Sequence, residues 1–139
     1  MPLRPLQLRT DEIPWTPGSA ALGDLSVYQD QETVFVKPLS DRRGEGGGVA
    51  QVIRFRPPVG MLIKVLAVAR SDEHIYILQG GHCDKAGRQR LFPGDYLLHP
   101  NGHRHGAFLA VETIAFVAYT GEPDELISYE ILPLRSPGD

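Results

Sequence analysis

Short apolar runs between glycine- and proline-rich turns recur along the chain, and this pattern predicts β-strands. No segment keeps a helical period over several turns, and the 15 glycines and 12 prolines cluster where the apolar runs end. The predicted strands are SVYQ from Ser26, TVFVKPL from Thr33, VAQVIRF from Val49, MLIKVLAVA from Met61, HIYILQG from His74, RQRLF from Arg88, DYLLH from Asp95 and HGAFLAVETIAFVAY from His105. We therefore predict an all-β chain.

A chain of 139 residues buries one hydrophobic core. We predict a single domain over residues 1–139, with the core at about residues 25–132 and residues 1–24, around Trp15, packed on its outside. Many short strands with dense turns favour a closed antiparallel β-barrel or a two-sheet jelly roll. Strand edges in such a fold need covering, which leads us to expect a homodimer.

The composition of the chain limits the classes of molecule that it is expected to bind. A net charge of −3, from 14 basic and 17 acidic residues, provides no field to hold nucleic acid or a membrane surface, so we expect a small-molecule ligand instead. The single cysteine, Cys83, cannot form an intrachain disulfide, and the first residues lack the apolar stretch of a signal peptide. We expect a cytoplasmic protein.

The segment GDYLLHPNGHRH, from Gly94 to His105, is the most distinctive of the chain. Gly94 begins a turn into a short apolar strand, and Pro100 with Gly102 form a second turn, which places His105 at the start of the next strand. These residue types at these intervals resemble the second sequence motif of the cupin barrels. In that superfamily the matching histidine points into the barrel and usually binds a metal.

Further stretches of sequence extend the resemblance over most of the chain. In these stretches the chain is similar in particular to single-domain cupins related to the zinc anti-sigma-factor cupin domain and to acetylacetone and dihydroxyacetophenone dioxygenases. It implies a double-stranded β-helix in which Glu73 and His105 are metal ligands. The stretches that carry it are IPWTPG from Ile13, VKPL from Val36, QVIRFRPPVG from Gln51, HIYILQGGHCDKAGRQRLFPGDYLLHPNGHRHG from His74 and IAFVAYTGEP from Ile114.

The first cupin motif is only half present. Gly60, Glu73 and Gly80 match it, but its two histidines fall on Leu66 and Val68 when counted from Gly60, or on Ala67 and Ala69 when counted back from Glu73. Glu73 and His105 alone are fewer donors than a transition-metal site usually collects. We expect no metal, or a weakly bound zinc, iron or nickel ion.

Other residues are candidates for the same cavity. His103 shares strand parity with His105, and His99 lies on the preceding strand, so either is a candidate ligand or substrate-binding group. His74 alternates away from Glu73, and His82 falls in a turn. Predicted apolar lining residues are Leu66, Val68, Ile75, Ile77 and Phe116, and basic residues that can fix an anionic or phenolate oxygen if they face inward are Lys64, Arg54, Arg56 and Arg70.

Three functions remain open. The first is metal-independent acid/base catalysis by Glu73 and His105 on a small organic or polyketide-like substrate, as in an isomerase, cyclase or lyase. The second is a metal-dependent dioxygenase with a remodelled site that recruits His103 or His99. The third is a non-catalytic barrel that senses a small ligand.

Overall fold

A computed structural model of the protein describes residues 4–134. Eleven strands make up about half of this range, with one short helix, α1 (Ser19–Leu22), and three short 3-10 helices, Thr10–Glu12, Gly23–Ser26 and Arg43–Glu45. The strands are β1 Thr16–Pro17, β2 Val27–Tyr28, β3 Gln31–Glu32, β4 Val34–Asp41, β5 Val49–Phe55, β6 Met61–Val68, β7 Glu73–Gln79, β8 Tyr96–His99, β9 Arg104–Leu109, β10 Thr113–Tyr119 and β11 Glu125–Pro133.

Two antiparallel sheets face each other, as the turn-rich sequence predicts. The large sheet has the strand order β1-β4-β5-β10-β7-β8, and the small sheet has the order β11-β6-β9. Strands β2 and β3 form a separate hairpin. Among the residues described, no helix is long and apolar enough to span a bilayer.

The core consists of two clusters of buried side chains. Ile75, Ile77, Ala115, Val117 and Tyr119 pack together on the inner face of the large sheet. Val34, Ile63, Leu109 and Tyr129 form a second cluster, to which Leu22 of α1 adds its side chain. In both clusters alternate residues of each strand point inward, as the period-two geometry of a strand requires.

The N-terminal segment lies against the outer face of the large sheet. The Lys37 ammonium lies 4.6 Å from the centre of the Trp15 ring, and the Arg54 guanidinium carbon lies 5.9 Å from it. Both distances are those of cation–π contacts. The aromatic ring of Trp15 thus joins the first strand to β4 and β5.

Three parts of the strand prediction need correction. The segment RQRLF is not a strand, because Asp84 accepts hydrogen bonds from the backbone and side chain of Arg88 and folds the loop between β7 and β8 back on itself. The run from His105 to Tyr119 is two strands separated by a turn at residues 110–112. Strands β1, β3 and β11 were not predicted.

Gly80 ends β7 in a conformation that only glycine adopts easily, with φ of +72°. A Cβ at this position would lie 2.1 Å from the Glu112 carbonyl oxygen, whereas a Cβ at Gly60, which has a similar φ of +75°, would meet nothing within 4 Å. Gly60→Ala is therefore a matched control: it forces alanine into the same positive-φ conformation but introduces no steric clash.

We expect Gly60→Ala to lower the free energy of unfolding by about 1–2 kcal/mol. Gly80→Ala should lower it by about 3 kcal/mol or more, because the backbone clash adds to the same conformational cost. Urea denaturation of the two variants measures the difference. Equal losses would show that the clash is relieved by a small backbone shift.

Candidate active site

A cavity of about 360 Å³ lies between the two sheets. Most of its wall is apolar and comes from both sheets and from α1, and many of the apolar side chains are small. Wall residues of this kind are Ala21, Ala67, Ala107, Ala115, Val65 and Val117. The wall residues Glu73, His99, His105 and Asp124 gather where β7, β8 and β9 meet the segment before β11, and we call this part of the cavity its polar end.

Glu73 and His99 form the first pair at this end. Glu73 is the first residue of β7, His99 is the last residue of β8, and the two are direct partners in the antiparallel register. His99 Nδ1 donates a hydrogen bond to Glu73 Oε1 over 2.8 Å. Both side chains are buried, with 8% of His99 and 5% of Glu73 exposed. A buried carboxylate of this kind needs such a partner.

His105 and Asp124 form the second pair. His105 Nε2 donates to Asp124 Oδ2 over 2.7 Å and lies 3.5 Å from Glu73 Oε1. Burial alone would lower the pKa of His105, but the hydrogen bond to Asp124 and the charges of Glu73 and Asp124 outweigh it and raise that pKa above its ordinary value. The imidazolium form of His105 is therefore favoured.

The two pairs join into a continuous polar chain, His99–Glu73–His105–Asp124, which we call the four-residue chain. Bases and carboxylates alternate along it, so each carboxylate contacts an imidazole and each imidazole a carboxylate. The rings of His99 and His105 also stack, with centroids 3.6 Å apart and planes 12° from parallel. Such a chain can hold a proton at several positions in a space shielded from water.

Tyr119 adds a neutral hydroxyl beside this chain. It is the last residue of β10, pairs with Glu73 across the strands, and its hydroxyl lies against the side chains of Glu73 and Gln51. Burial, together with the nearby charges of Glu73 and Asp124, raises the pKa of Tyr119 well above its usual range. Tyr119 therefore keeps its proton and acts as a hydrogen-bond donor.

Comparison with solved structures places this arrangement in a known fold. An RmlC-like cupin protein from Ralstonia eutropha JMP134 matches 93% of this chain and 80% of its own, with a TM-score of 0.64 and 18% identity. The chain has the cupin fold. No protein-family model matches the sequence, and no curated protein does.

Two enzymes with this cupin fold are also similar. The ectoine synthase of P. lautus matches 96% of this chain and 95% of its own, with a TM-score of 0.57 and 12% identity. The polyketide cyclase RemF of Streptomyces resistomycificus matches 98% of this chain and 89% of its own, with a TM-score of 0.55 and 14% identity. At these identities the likeness shows the cupin fold alone.

The structure brings together Glu73 and His105, the two residues on which the cupin motifs converge. His99 joins them as a buried residue rather than a rim residue. His103 is exposed and lies outside the described cavity wall, with its ring centre 6.4 Å from that of His105. The parity that His103 shares with His105 holds only if the strand begins early, and β9 begins at Arg104.

The predicted lining by Leu66, Val68 and Phe116 is wrong, and Lys64 lies outside the wall with them. On β6 the wall residues are Val65 and Ala67, and on β10 they are Ala115 and Val117, so the predicted residues lie one position out of phase. A shift of one residue along a strand reverses the face. Ile75 lines the cavity, and Ile77 belongs to the core beyond it.

Asp124, Tyr119 and His82 are wall residues that the sequence did not single out. Asp124 precedes β11, a strand that was not predicted, so the carboxylate had no assigned face. His82 was assigned to a turn and does lie in the loop after β7, but this loop returns across the cavity.

The resemblance of the sequence motifs to those of the cupin barrels implies a metal, and the residues here supply the donor types for one. Ligand atoms of Glu73, His99 and His105 lie within 4.8 Å of one another, and one carboxylate with two imidazoles is a known catalytic zinc set. The stacked rings fit an ion poorly as they stand. Their centroids lie 3.6 Å apart and their planes are nearly parallel, so the in-plane lone pairs of the two rings do not converge on one ion about 2.0–2.1 Å from each nitrogen. One imidazole must turn before all three can bind.

His82 gives the site a testable pH dependence. Burial, and then the charges of His99 and His105, lower the pKa of His82 to about 4 from an ordinary 6.5. Between pH 6.5 and 4 the unfolded chain therefore binds a proton at this position that the folded chain does not, so the contribution of His82 to stability falls as pH falls.

We expect the wild-type protein to lose about 2–3 kcal/mol more unfolding free energy over that range than the His82→Gln variant, which cannot titrate. Urea denaturation at pH 7, 5.5 and 4.5 compares them. Parallel curves for the two proteins would contradict a depressed pKa at His82.

Proposed function

We propose that this protein is a small-molecule enzyme that moves protons on an organic substrate held in the apolar cavity, as an isomerase, cyclase or lyase does. The observation that carries the proposal is the four-residue chain at the polar end of an otherwise apolar cavity. Acid and base groups side by side in a poorly hydrated space are what proton transfer at carbon requires.

The chemistry follows from the positions of the side chains. The Glu73 carboxylate takes a proton from the carbon beside a substrate carbonyl, and the electron pair of that bond moves to the carbonyl oxygen. The His105 imidazolium gives its proton to that oxygen, while Asp124 holds the ring in place. Return of both protons, with carbon protonated at a different face or atom, completes an isomerisation without an oxidant or a reductant.

The fold supports the proposal by analogy. The ectoine synthase and the polyketide cyclase that share it bear the names of enzymes that act on small molecules. Because one fold hosts many activities, this analogy supports the class of protein, and the argument for proton transfer stands on Glu73, His105 and Asp124 themselves.

Proton–deuterium exchange tests the proposal directly. The protein is incubated in D₂O with a panel of enolisable ketones, and deuterium at the carbon beside the carbonyl is measured by NMR. We expect exchange above the buffer rate for at least one ketone, retained in His103→Ala, which alters an exposed imidazole outside the cavity. Ketones that bind without any exchange would favour the non-catalytic ligand sensor.

A metal-dependent dioxygenase is the second candidate, and the grouping of Glu73, His99 and His105 favours it. When bound there, iron, zinc or nickel supplies Lewis-acid chemistry, and iron also supplies redox chemistry. We nevertheless propose weak binding, because two of the three donors are already hydrogen-bonded to carboxylates within the four-residue chain.

Elemental analysis of protein purified without a histidine tag decides between the two enzyme candidates. The expected result is less than one metal ion per chain, removed by mild chelation. One equivalent of iron, zinc or nickel that resists chelation would promote the dioxygenase.

We also propose that the protein pairs with a second copy through the outer face of the large sheet near its edge strand, β8. Exposed apolar side chains line up there on β7 and β8, namely Tyr76, Leu78, Tyr96 and Leu98. A self-associating patch of this kind gives a twofold dimer. Light scattering at micromolar concentration should give the dimer mass, and a monomeric mass would refute it.

A further inference from the structure

The charge and hydrogen-bonding pattern of the cavity wall restricts which molecules can occupy it. We infer that the ligand is an uncharged, largely apolar molecule whose polar head carries a hydroxyl, as a phenol, enol or alcohol does, and that carboxylates and phosphates are rejected. This inference rests on the proposed function only in taking the cavity as the substrate site. Binding alone tests it.

The first observation concerns the basic side chains. Among the described residues, no lysine or arginine lines the cavity. Arg54 and Arg56 pair with Glu112, and Arg54 also lies against Trp15 on the outside of the large sheet. Arg70 is exposed and pairs with Glu125.

Lys64 completes the set, since it too lies outside the described wall. All four basic residues that the sequence offered as anchors for an anionic oxygen are therefore elsewhere. The His105 imidazolium on this wall is already paired with Glu73 and Asp124. A ligand carboxylate or phosphate would therefore lose its hydration without gaining an unpaired cation.

The second observation is the presence of two carboxylates on the same wall. Glu73 and Asp124 both line the polar end, and each is almost fully buried. Repulsion between like charges is stronger in such a poorly solvated space than in water. An anionic head group that approached this end would meet that repulsion.

The third observation is an unused acceptor. Asp124 Oδ2 accepts from His105, but Asp124 Oδ1 is buried and has no hydrogen-bond partner among the described residues. Buried carboxylate oxygens normally accept a hydrogen bond. Asp124 lies on the cavity wall, and a rotation of its carboxylate would turn the shielded Oδ1 toward a donor on the ligand head, which would supply the missing bond.

The apolar remainder of the wall sets the nature of the ligand body. Val36, Ile53, Phe55 and Leu126 are apolar wall residues. The cavity volume of about 360 Å³ equals that of about a dozen water molecules in the liquid. A fused bicyclic ring system fits within this volume. An apolar ring with one hydroxyl matches both ends of the cavity.

Three naphthalenes of similar shape separate the parts of the inference. 2-Naphthol carries the hydroxyl, 2-methoxynaphthalene lacks the donor, and 2-naphthoate carries a negative charge at pH 7. Isothermal titration calorimetry should show 2-naphthol binding at least tenfold more tightly than either of the others. Equal or tighter binding of 2-naphthoate would overturn the exclusion of anions, and equal binding of the methoxy compound would overturn the need for a donor.

Variants locate the effect. Glu73→Gln and Asp124→Asn each remove one charge from the wall. Each should reduce the ratio of the 2-naphthoate and 2-naphthol dissociation constants, which we call the gap, severalfold. Glu130→Gln removes an exposed charge from β11 outside the cavity and should leave the gap unchanged. An unchanged gap in both wall variants, each checked for a native melting temperature, would overturn the inference.

Failure of this test is distinct from failure of the proposed function. If none of the three compounds binds at millimolar concentration, the inferred ligand class is wrong, whatever exchange the ketones undergo. If 2-naphthol binds selectively but no ketone exchanges its protons, the ligand class stands and the enzymatic proposal falls.

Discussion

Glu73→Gln and His105→Ala are each expected to lower turnover of an exchanging ketone by about a hundredfold or more. Glutamine keeps the shape of residue 73 but cannot take a proton, and alanine at residue 105 removes the acid that faces it across 3.5 Å. Deuterium exchange measured by NMR gives kcat for each variant.

The combination of the two changes is equally informative. Because Glu73 and His105 are parts of one chain of contacts, the double variant should lose little more activity than either single variant. Wild-type activity in both single variants, at an unchanged melting temperature, would mean that the barrel uses another surface.

Asp124→Asn is expected to lower kcat by about a hundredfold while leaving the fold intact. The amide keeps the size of the side chain but no longer supplies the charge that favours the His105 imidazolium. The pKa of His105 should therefore fall in this variant, which an NMR titration of the imidazole protons measures directly.

A purely structural role for Asp124 would give a different pattern. Activity would then fall together with the melting temperature, and the pKa of His105 would stay where it is in the wild-type protein. Glu122→Gln is a suitable control, because it removes a charge from the same segment but from a carboxylate that pairs with Arg43 on the surface.

The fold was predictable because the turns fix it. Gly60, Gly80, Gly94 and Gly102 all adopt positive φ, so the glycines that marked the ends of predicted strands stand where other residues would be strained. Strand β11 was missed because its sequence, ELISYEILP, mixes charged and apolar residues. The outer face of an edge strand remains in water, which weakens the apolar signal.

The cavity wall was harder to predict, because residue size favours the wrong face of β6 and β10. Leu66 and Phe116 are larger than Ala67 and Ala115, and large apolar residues usually face a core. In this barrel the alanines face inward, and the cavity exists because their side chains leave the space unfilled. The sequence left open whether Leu66 and Val68 or Ala67 and Ala69 face the cavity. The pairing of Ala67 with His105 across β6 and β9 shows that Ala67 does.

Asp124 shows the limit of reasoning from spacing. Its contact with His105 joins residues 19 positions apart, one on β9 and the other in the segment before β11, and no local sequence pattern predicts that contact. The position of His99 was easier to predict, because His99 falls opposite Glu73 once β7 and β8 are paired as antiparallel neighbours.

The position of Trp15 decides how ligand binding should be observed. It is the only tryptophan of the chain, and it lies against Lys37 and Arg54 on the outside of the large sheet, away from the cavity wall. Its fluorescence will therefore stay constant as the cavity fills and will change when the N-terminal segment detaches from the sheet. A tryptophan signal lost early in urea would make this residue an optical reporter of the first step of unfolding.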